Sequence, residues 1–143
     1  MRSISDRGTD VLTVAHKLVG ASWTLSAIAV LVLAVSAPDP SAQAWERVAG
    51  LQRLGAVASV ATLLLGLAYG IWTVWGFLKS AWVAGKWVLF LVAAGTAGYA
   101  MRAATAHDSS ALVTLTAVQL LALGAAIAVG VFLERSRHAG KLP

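Results

Sequence analysis

A histidine at the start of a long apolar segment is the first residue whose type and spacing suggest chemistry. Gly20 and Trp23 follow His16 by four and seven residues, so the three share one face of a helix. A glycine one turn beyond a histidine leaves room for a flat ligand, and histidine is a common axial ligand of heme iron. The alternative interpretation is an interfacial histidine whose ring bonds to a nearby carbonyl oxygen.

Lys86 is the second candidate. Trp87 to Met101 is fifteen residues, or about 22 Å of helix, which is too short to cross an apolar core of about 30 Å. The third segment must therefore begin near Trp82, and Lys86 is predicted to lie about one turn inside the membrane. Ionisable residues at that depth are often functional, for instance in binding an anionic group. The alternative is snorkelling, in which the long side chain carries the ammonium back to the headgroups.

The positions of the other histidines limit a heme hypothesis. His107 falls in a connector at the opposite side of the membrane from His16, and His138 falls in the C-terminal tail. A heme held by His16 would thus be five-coordinate, or would take a ligand from a partner chain or solvent. Gln119 and Thr116, near the middle of the fourth apolar segment, are predicted to form hydrogen bonds between helices, as are Thr62 and Thr96.

Several classes of chemistry are unsupported by the composition. The chain has no cysteine, which excludes disulfides and thiolate metal sites within it. None of its six acidic residues falls in the middle of an apolar segment, whereas a proton-coupled exporter of cations normally needs a buried carboxylate. Copper transport, which favours methionine, histidine or cysteine ligands along a path, is disfavoured as well. The net charge of +5 is better explained by membrane orientation than by nucleic acid, which we do not expect as a partner.

The elements that must position these residues are membrane helices. The chain is 59% hydrophobic and 12% charged, whereas a soluble domain is about 25% charged. The pattern predicts one domain over residues 1–143, with spans at about 11–37, 54–78, 82–102 and 111–133 and a polar connector over 41–53. Short links between neighbouring spans favour an all-α fold, an integral membrane four-helix up-down bundle.

Basic residues predict the orientation of this bundle. The N-terminus, the turn between the second and third spans, and the tail carry eight lysines and arginines, against three in the other connectors. By the positive-inside rule both termini are cytoplasmic. The turn from Trp72 to Lys86, with tryptophans and lysines between two apolar segments, has the composition of a membrane interface. We expect a multi-pass protein of the bacterial cytoplasmic (inner) membrane.

Small residues within the spans predict close helix packing. The pairs are Gly66 with Gly70 and Ser22 with Ser26, and Gly95, Gly98, Gly124 and Gly130 add further candidates. Such positions let backbones approach closely in lipid. We expect them to pack within one bundle, and the alternative is an interface between copies of the chain.

His16 with Trp23 downstream, together with Trp82-Val-Ala-Gly-Lys86 at the start of the third span, resembles a group of small bacterial four-helix membrane proteins. The stretch from Trp75 to Trp87 carries most of the resemblance. The pattern is similar, more distantly, to the membrane domain of copper-resistance D proteins and to the heme-containing four-helix protoporphyrinogen oxidases. The last resemblance implies that His16 is a heme ligand and Lys86 an important residue. Just after the first helix those oxidases have an arginine-and-aromatic cluster, where this chain has residues 36–40.

These observations lead to three functional hypotheses. The first is a binding or accessory subunit for a membrane partner or an amphipathic ligand, in contact with the lipid bilayer and with a homo-oligomer or membrane-protein partner. The second is a redox protein that binds heme b, with His16, Gly20, Trp23 and Lys86 forming the pocket and His16 ligating the iron. The third is a small-solute transporter or channel. We expect a binding protein rather than an enzyme, and an enzyme of this composition would be a heme-dependent membrane oxidoreductase.

Overall fold

The computed structural model describes residues 6–36, 41–72 and 81–138, and these ranges are almost entirely helical. Four helices follow in order: α1 (Asp6–Ser36), α2 (Ala42–Trp72), α3 (Ala81–Thr105) and α4 (Ser109–His138). Each is long and apolar enough to cross a membrane, and no strand occurs in the described ranges. The predicted all-α four-helix membrane fold is confirmed. The predicted end of the second span at Leu78 and most of the turn before Lys86 lie outside the described residues.

The helices form a square, up-down array. α1 packs most extensively on α2, and α3 on α4, while smaller interfaces join α1 to α4 and α2 to α3. Neighbours run antiparallel, because Gly55 lies beside Trp23 whereas Gly66, further along α2, lies beside His16, earlier in α1. We call the end of the bundle where α1 begins and α4 finishes the terminal end, and the opposite end the distal end.

The second helix begins at Ala42 rather than at the predicted Leu54, so the segment read as a polar connector is helical. Ser41 caps it, since the backbone N–H of Ala44 donates to the Ser41 hydroxyl oxygen at 3.3 Å. The side chains of Trp45 and Val48 are buried here while the intervening charged residues are exposed. This stretch is therefore an amphipathic helix with one charged face and one face that packs on the bundle. Its charged residues made the sequence pattern resemble a polar connector.

The distal end is closed by the short turn between α3 and α4. His107 adopts a left-handed backbone conformation with φ of 57°, and its ring stacks on the buried indole of Trp45 at 5.0 Å between centroids. Asp108 caps α4, because its Oδ1 accepts hydrogen bonds from the backbone N–H of Ala111 at 3.0 Å and the hydroxyl of Ser110 at 2.9 Å. These bonds lower the pKa of the exposed Asp108 carboxyl below its ordinary value.

The interior of the bundle contains two separate apolar clusters. The Trp45 cluster lies toward the distal end and consists of Val30, Ala34, Trp45, Val48, Ala100, Ala103, Ala104 and Leu112. The Trp23 cluster lies nearer the terminal end and consists of Trp23, Ala58, Ala93, Ala122 and Leu123. Between them every helix contributes a polar residue, which gives a polar layer of Ser26, Gln52, Thr96, Thr116 and Gln119.

Close packing uses only some of the glycines that the sequence suggested. A Cβ atom at Gly95, Gly98 or Gly124 would meet nothing within 4 Å, so the expectation that they form notches within the bundle is wrong. Gly55 was not among the expected positions, yet a Cβ there would lie 2.9 Å from the Ser26 hydroxyl oxygen. Spacing along one helix cannot reveal which face meets a neighbour, and this decides which glycines are needed.

Candidate functional site

His16 lies near the terminal end of the bundle, where its ring contacts α2 at a glycine. A Cβ atom on Gly66 would lie 3.7 Å from Cε1 of His16 and 3.8 Å from Cη2 of Trp87, so Gly66 provides the space in which both rings meet. The Nδ1 atom of His16 is buried and has no hydrogen-bond partner. Nδ1 therefore does not form the hydrogen bond to a neighbouring carbonyl oxygen that was the alternative interpretation of this histidine.

Lys86 extends across the bundle toward α4. A Cβ atom on Gly130 would lie 2.9 Å from Nζ and 3.5 Å from Cε of Lys86, so only a glycine leaves room for the ammonium in this position. The Lys86 ammonium and the His16 imidazole are close enough for their charges to interact. The two ionisable side chains singled out in the sequence therefore lie near each other in the fold, although seventy positions separate them in the chain.

All four helices contribute to this arrangement, which we call the basic site: His16 from α1, Gly66 from α2, Lys86 and Trp87 from α3, and Gly130 from α4. It combines an imidazole nitrogen without a partner, an ammonium and an aromatic wall within apolar helices. An ammonium offers three hydrogen-bond donors and a positive charge. Such a site is chemically suited to a molecule that carries an anionic group on an apolar body.

An aromatic row joins the basic site to the Trp23 cluster. The Phe90 ring meets the rings of Trp87 at 5.9 Å and of Trp23 at 5.4 Å between centroids, in edge-to-face geometry in both cases. Trp23 is 1% exposed, and its indole Nε1 has no hydrogen-bond partner. Trp23 thus lies deeper in the bundle than His16, and Phe90 connects its ring to Trp87 of the basic site.

Gly20 lies one turn beyond His16 in α1, and its place beside a flat ligand stays a prediction. A Cβ atom at Gly20 would have no neighbour within 4 Å. The sequence pattern did not point to Gly66 as the partner of the His16 ring, nor to Trp87 as part of a site. The sequence offers one indication of these two residues, which is that both lie in their spans at about the same depth as His16. Their proximity to the His16 ring becomes evident only when the arrangement of the helices is known.

His107 lies far from the basic site, and His138, which the sequence pattern placed in a C-terminal tail, is the last residue of α4. His107 is in the α3–α4 turn at the distal end, whereas His16 meets its neighbours near the terminal end. They cannot bind one iron atom, as the sequence predicted. No group of three histidine, cysteine or acidic side chains that would hold a metal ion occurs in the part of the chain that the structure describes.

Hydroxyl groups within the helices mostly bond to their own backbone. The Thr62 hydroxyl donates to the carbonyl oxygen of Ala58 at 2.7 Å, and the Thr96 hydroxyl to that of Val92 at 2.8 Å. The prediction that these threonines form bonds between helices is therefore wrong, because the carbonyl one turn earlier is the nearer acceptor. Gln119 and Thr116 are buried as expected, but Oε1 of Gln119 and Oγ1 of Thr116 have no partner.

Comparison with family models, with curated proteins and with solved structures finds no match to this chain. The resemblances suggested by His16 and Lys86 therefore stay predictions. What the fold establishes is a small multi-pass membrane protein of four helices in contact with lipid. The basic site must be interpreted from its own chemistry.

Proposed function

We propose that this chain binds an amphipathic ligand at the basic site, either alone or as a subunit that presents this ligand to a membrane partner. In this proposal the Lys86 ammonium pairs with an anionic group such as a carboxylate. His16 offers a further hydrogen bond or a coordinate bond, and the rings of Trp87 and Phe90 contact the apolar body of the ligand.

The observation that carries the proposal is that His16 and Lys86 lie near each other, each beside a glycine of a neighbouring helix. Lys86 lies within the candidate span Val83–Thr105, where an ionisable side chain is costly and often functional. Gly130 leaves space for its ammonium, and Gly66 leaves space for the ring of His16. A buried nitrogen without a partner, such as Nδ1 of His16, is likewise costly unless a ligand satisfies it.

The test measures binding of a fluorescent fatty acid, parinaric acid, to the detergent-purified protein, with the corresponding neutral alcohol as the matched probe. We expect the acid to bind about ten times more tightly than the alcohol, because a charge-assisted hydrogen bond contributes roughly 1.5 kcal/mol. In Lys86→Gln the two probes should bind equally. Equal binding of acid and alcohol by the parent would refute a role for the ammonium.

Glycine variants separate the position of the ammonium from its charge. Gly130→Ala keeps Lys86 but places a Cβ atom 2.9 Å from its present Nζ position, so the ammonium must move. Because the flexible end of Lys86 can shift while keeping its charge, we expect a partial loss of preference for the acid, smaller than that of Lys86→Gln. Gly124→Ala is the control on the same helix, since a Cβ atom there meets nothing within 4 Å. If Gly130→Ala binds like Gly124→Ala, the ammonium does not act from this position.

Heme b is the second candidate ligand, and one observation favours it specifically. His16 carries an imidazole whose Nδ1 is not held by another group of the protein, and Gly20 leaves space one turn further along the same helix; histidine is a common axial ligand of heme iron. Lys86 would pair with a propionate at the same end of the bundle. The residues present fit a heme held through one histidine, and such a group would supply one-electron redox chemistry.

An absorption spectrum of the purified protein, as isolated, after addition of hemin and after dithionite, tests this candidate. We expect a Soret band that shifts on reduction and is lost in His16→Ala. Lys86→Gln should keep the band but weaken hemin binding. A spectrum without this band after addition of hemin excludes heme and leaves the anionic amphipathic ligand as the proposal.

A further inference from the structure

The polar layer contains three side-chain atoms that are buried without a hydrogen-bond partner. They are Nε2 of Gln52, Oγ1 of Thr116 and Oε1 of Gln119. Exposure of these residues is 6%, 0% and 2% respectively, so neither solvent nor lipid headgroups reach them. Inside an apolar membrane there is no water along the lipid face to satisfy such groups. Each of them therefore calls for a partner inside the bundle.

The layer lies at one depth, between two apolar clusters. Gln52 follows Val48 of the Trp45 cluster by one turn of α2, and Thr116 follows Leu112 of the same cluster by one turn of α4. Gln119 precedes Leu123 of the Trp23 cluster by one turn. Because α2 and α4 are each antiparallel to α1, both begin at the distal end, so these positions fall at a similar level with apolar side chains on both sides.

The chemistry of the three atoms is complementary. The Gln52 amide nitrogen donates, the Gln119 amide oxygen accepts, and the Thr116 hydroxyl does both. α2 and α4 are opposite helices of the square array and do not pack on each other. The Gln52 amide nitrogen and the Gln119 amide oxygen are both buried, and neither has a hydrogen-bond partner, so they do not bond to each other. A small molecule on the axis with its own donors and acceptors would satisfy all three.

We propose that the polar layer is a binding site for a small neutral molecule that both donates and accepts hydrogen bonds. No charged side chain belongs to the layer, which disfavours an ion. Water is the smallest such molecule, and a buried water typically makes about three hydrogen bonds to otherwise unsatisfied groups. A small amide or polyol has the same chemistry. This site is separated from the basic site by the Trp23 cluster, so the inference does not rest on the proposed function.

The experiment is ¹⁵N-edited NMR of the full chain in micelles, observing the side-chain amide of Gln52. One sample contains buffer alone, and a second contains acetamide. We expect cross-peaks from the Gln52 amide protons to long-lived water in the first. In the second sample, cross-peaks to the acetamide methyl group would identify a solute site, and continued water cross-peaks would identify a hydration site. Either outcome supports a bound neutral guest.

Two variants and a control make the result specific. Thr116→Val and Gln119→Met keep side-chain volume but remove guest contacts, and each should abolish or strongly reduce the cross-peaks. If Thr116→Val does not fold, Gln119→Met provides the same test. Thr62→Val is the control, because the Thr62 hydroxyl already bonds to the Ala58 carbonyl oxygen. Absence of guest cross-peaks in the parent, or cross-peaks that persist in both layer variants, overturns the proposal.

Discussion

The closest approach of α1 and α2 supplies a stability prediction that can be worked out from contacts. A Cβ atom on Gly55 would lie 2.9 Å from the Ser26 hydroxyl oxygen, 3.6 Å from Cδ1 of Trp23 and 3.9 Å from Cβ of Ser26. Only the first distance is too short for ordinary contact. The hydroxyl cannot turn away freely, since it donates to the Trp23 carbonyl oxygen at 2.8 Å. Gly55→Ala must therefore displace Ser26 or separate the two helices.

The expected magnitude follows from opposing effects. Replacing a helical glycine with alanine stabilises by about 0.5–1 kcal/mol when nothing obstructs the new methyl group. Gly50→Ala is that case on the same helix, because a Cβ atom there meets nothing within 4 Å. Overpacking at Gly55 costs about 1–3 kcal/mol. We expect the free energy of unfolding of Gly55→Ala to lie about 1–3 kcal/mol below that of Gly50→Ala.

Equilibrium unfolding in mixed detergent and dodecyl sulfate, followed by circular dichroism, measures this difference. A second-site change sharpens the test: Ser26→Ala removes the obstructing oxygen and should restore most of the stability lost in Gly55→Ala. The two substitutions would then show a favourable coupling of about 1 kcal/mol or more. Equal stability of the two glycine variants, or no rescue by Ser26→Ala, would show that the close approach of α1 and α2 is wrong.

Three further outcomes are expected from the same unfolding assay. Leu112→Ala should cost about 2 kcal/mol or more because Leu112 is fully buried, whereas Leu121→Ala, at a position 74% exposed, should change little. Trp45→Ala should cost about 3 kcal/mol by emptying the centre of its cluster, with the exposed Tyr99→Ala as a near-neutral control. The pKa of Asp108 is lowered in the folded protein, so its stabilisation is present above the ordinary value of 3.8 and is lost as the pH falls through the folded pKa. Asp108→Asn should therefore be less stable than the parent at neutral pH, and its free energy of unfolding should fall less as the pH is lowered. If that free energy depends on acidic pH as it does in the parent, the capping role is contradicted.

The number and type of helices could be predicted from apolar segment length alone, and α3 and α4 have nearly the predicted bounds. The start of α2 could not, because Glu46 and Arg47 make its first turns look like a connector while Trp45 between the helix cap and these charges is buried. Hydropathy averages over both faces of a helix. It therefore misses a helix that packs on one face and carries charge on the other.

The ionisable residues of the candidate site could be predicted from the sequence, but the glycines that surround them could not. His16 and Lys86 are conspicuous because charge is rare within apolar segments. Gly66 and Gly130 are two of many glycines, and their importance depends on helix order and register. The polar layer shows the same limit, since Gln52 was assigned to a connector and its alignment with Gln119 appears only when the register of α2 is known.

The unequal packing of the four helices has a consequence for how the proposed ligand would enter. α1 with α2 and α3 with α4 form two tightly packed hairpins, and only the smaller α1–α4 and α2–α3 interfaces join them. The basic site spans this seam, since His16 and Gly66 belong to one hairpin and Lys86 and Gly130 to the other. A lipid-soluble molecule can therefore reach it sideways from the bilayer by a slight parting of the hairpins. Neither hairpin has to come apart, and no opening to water is required.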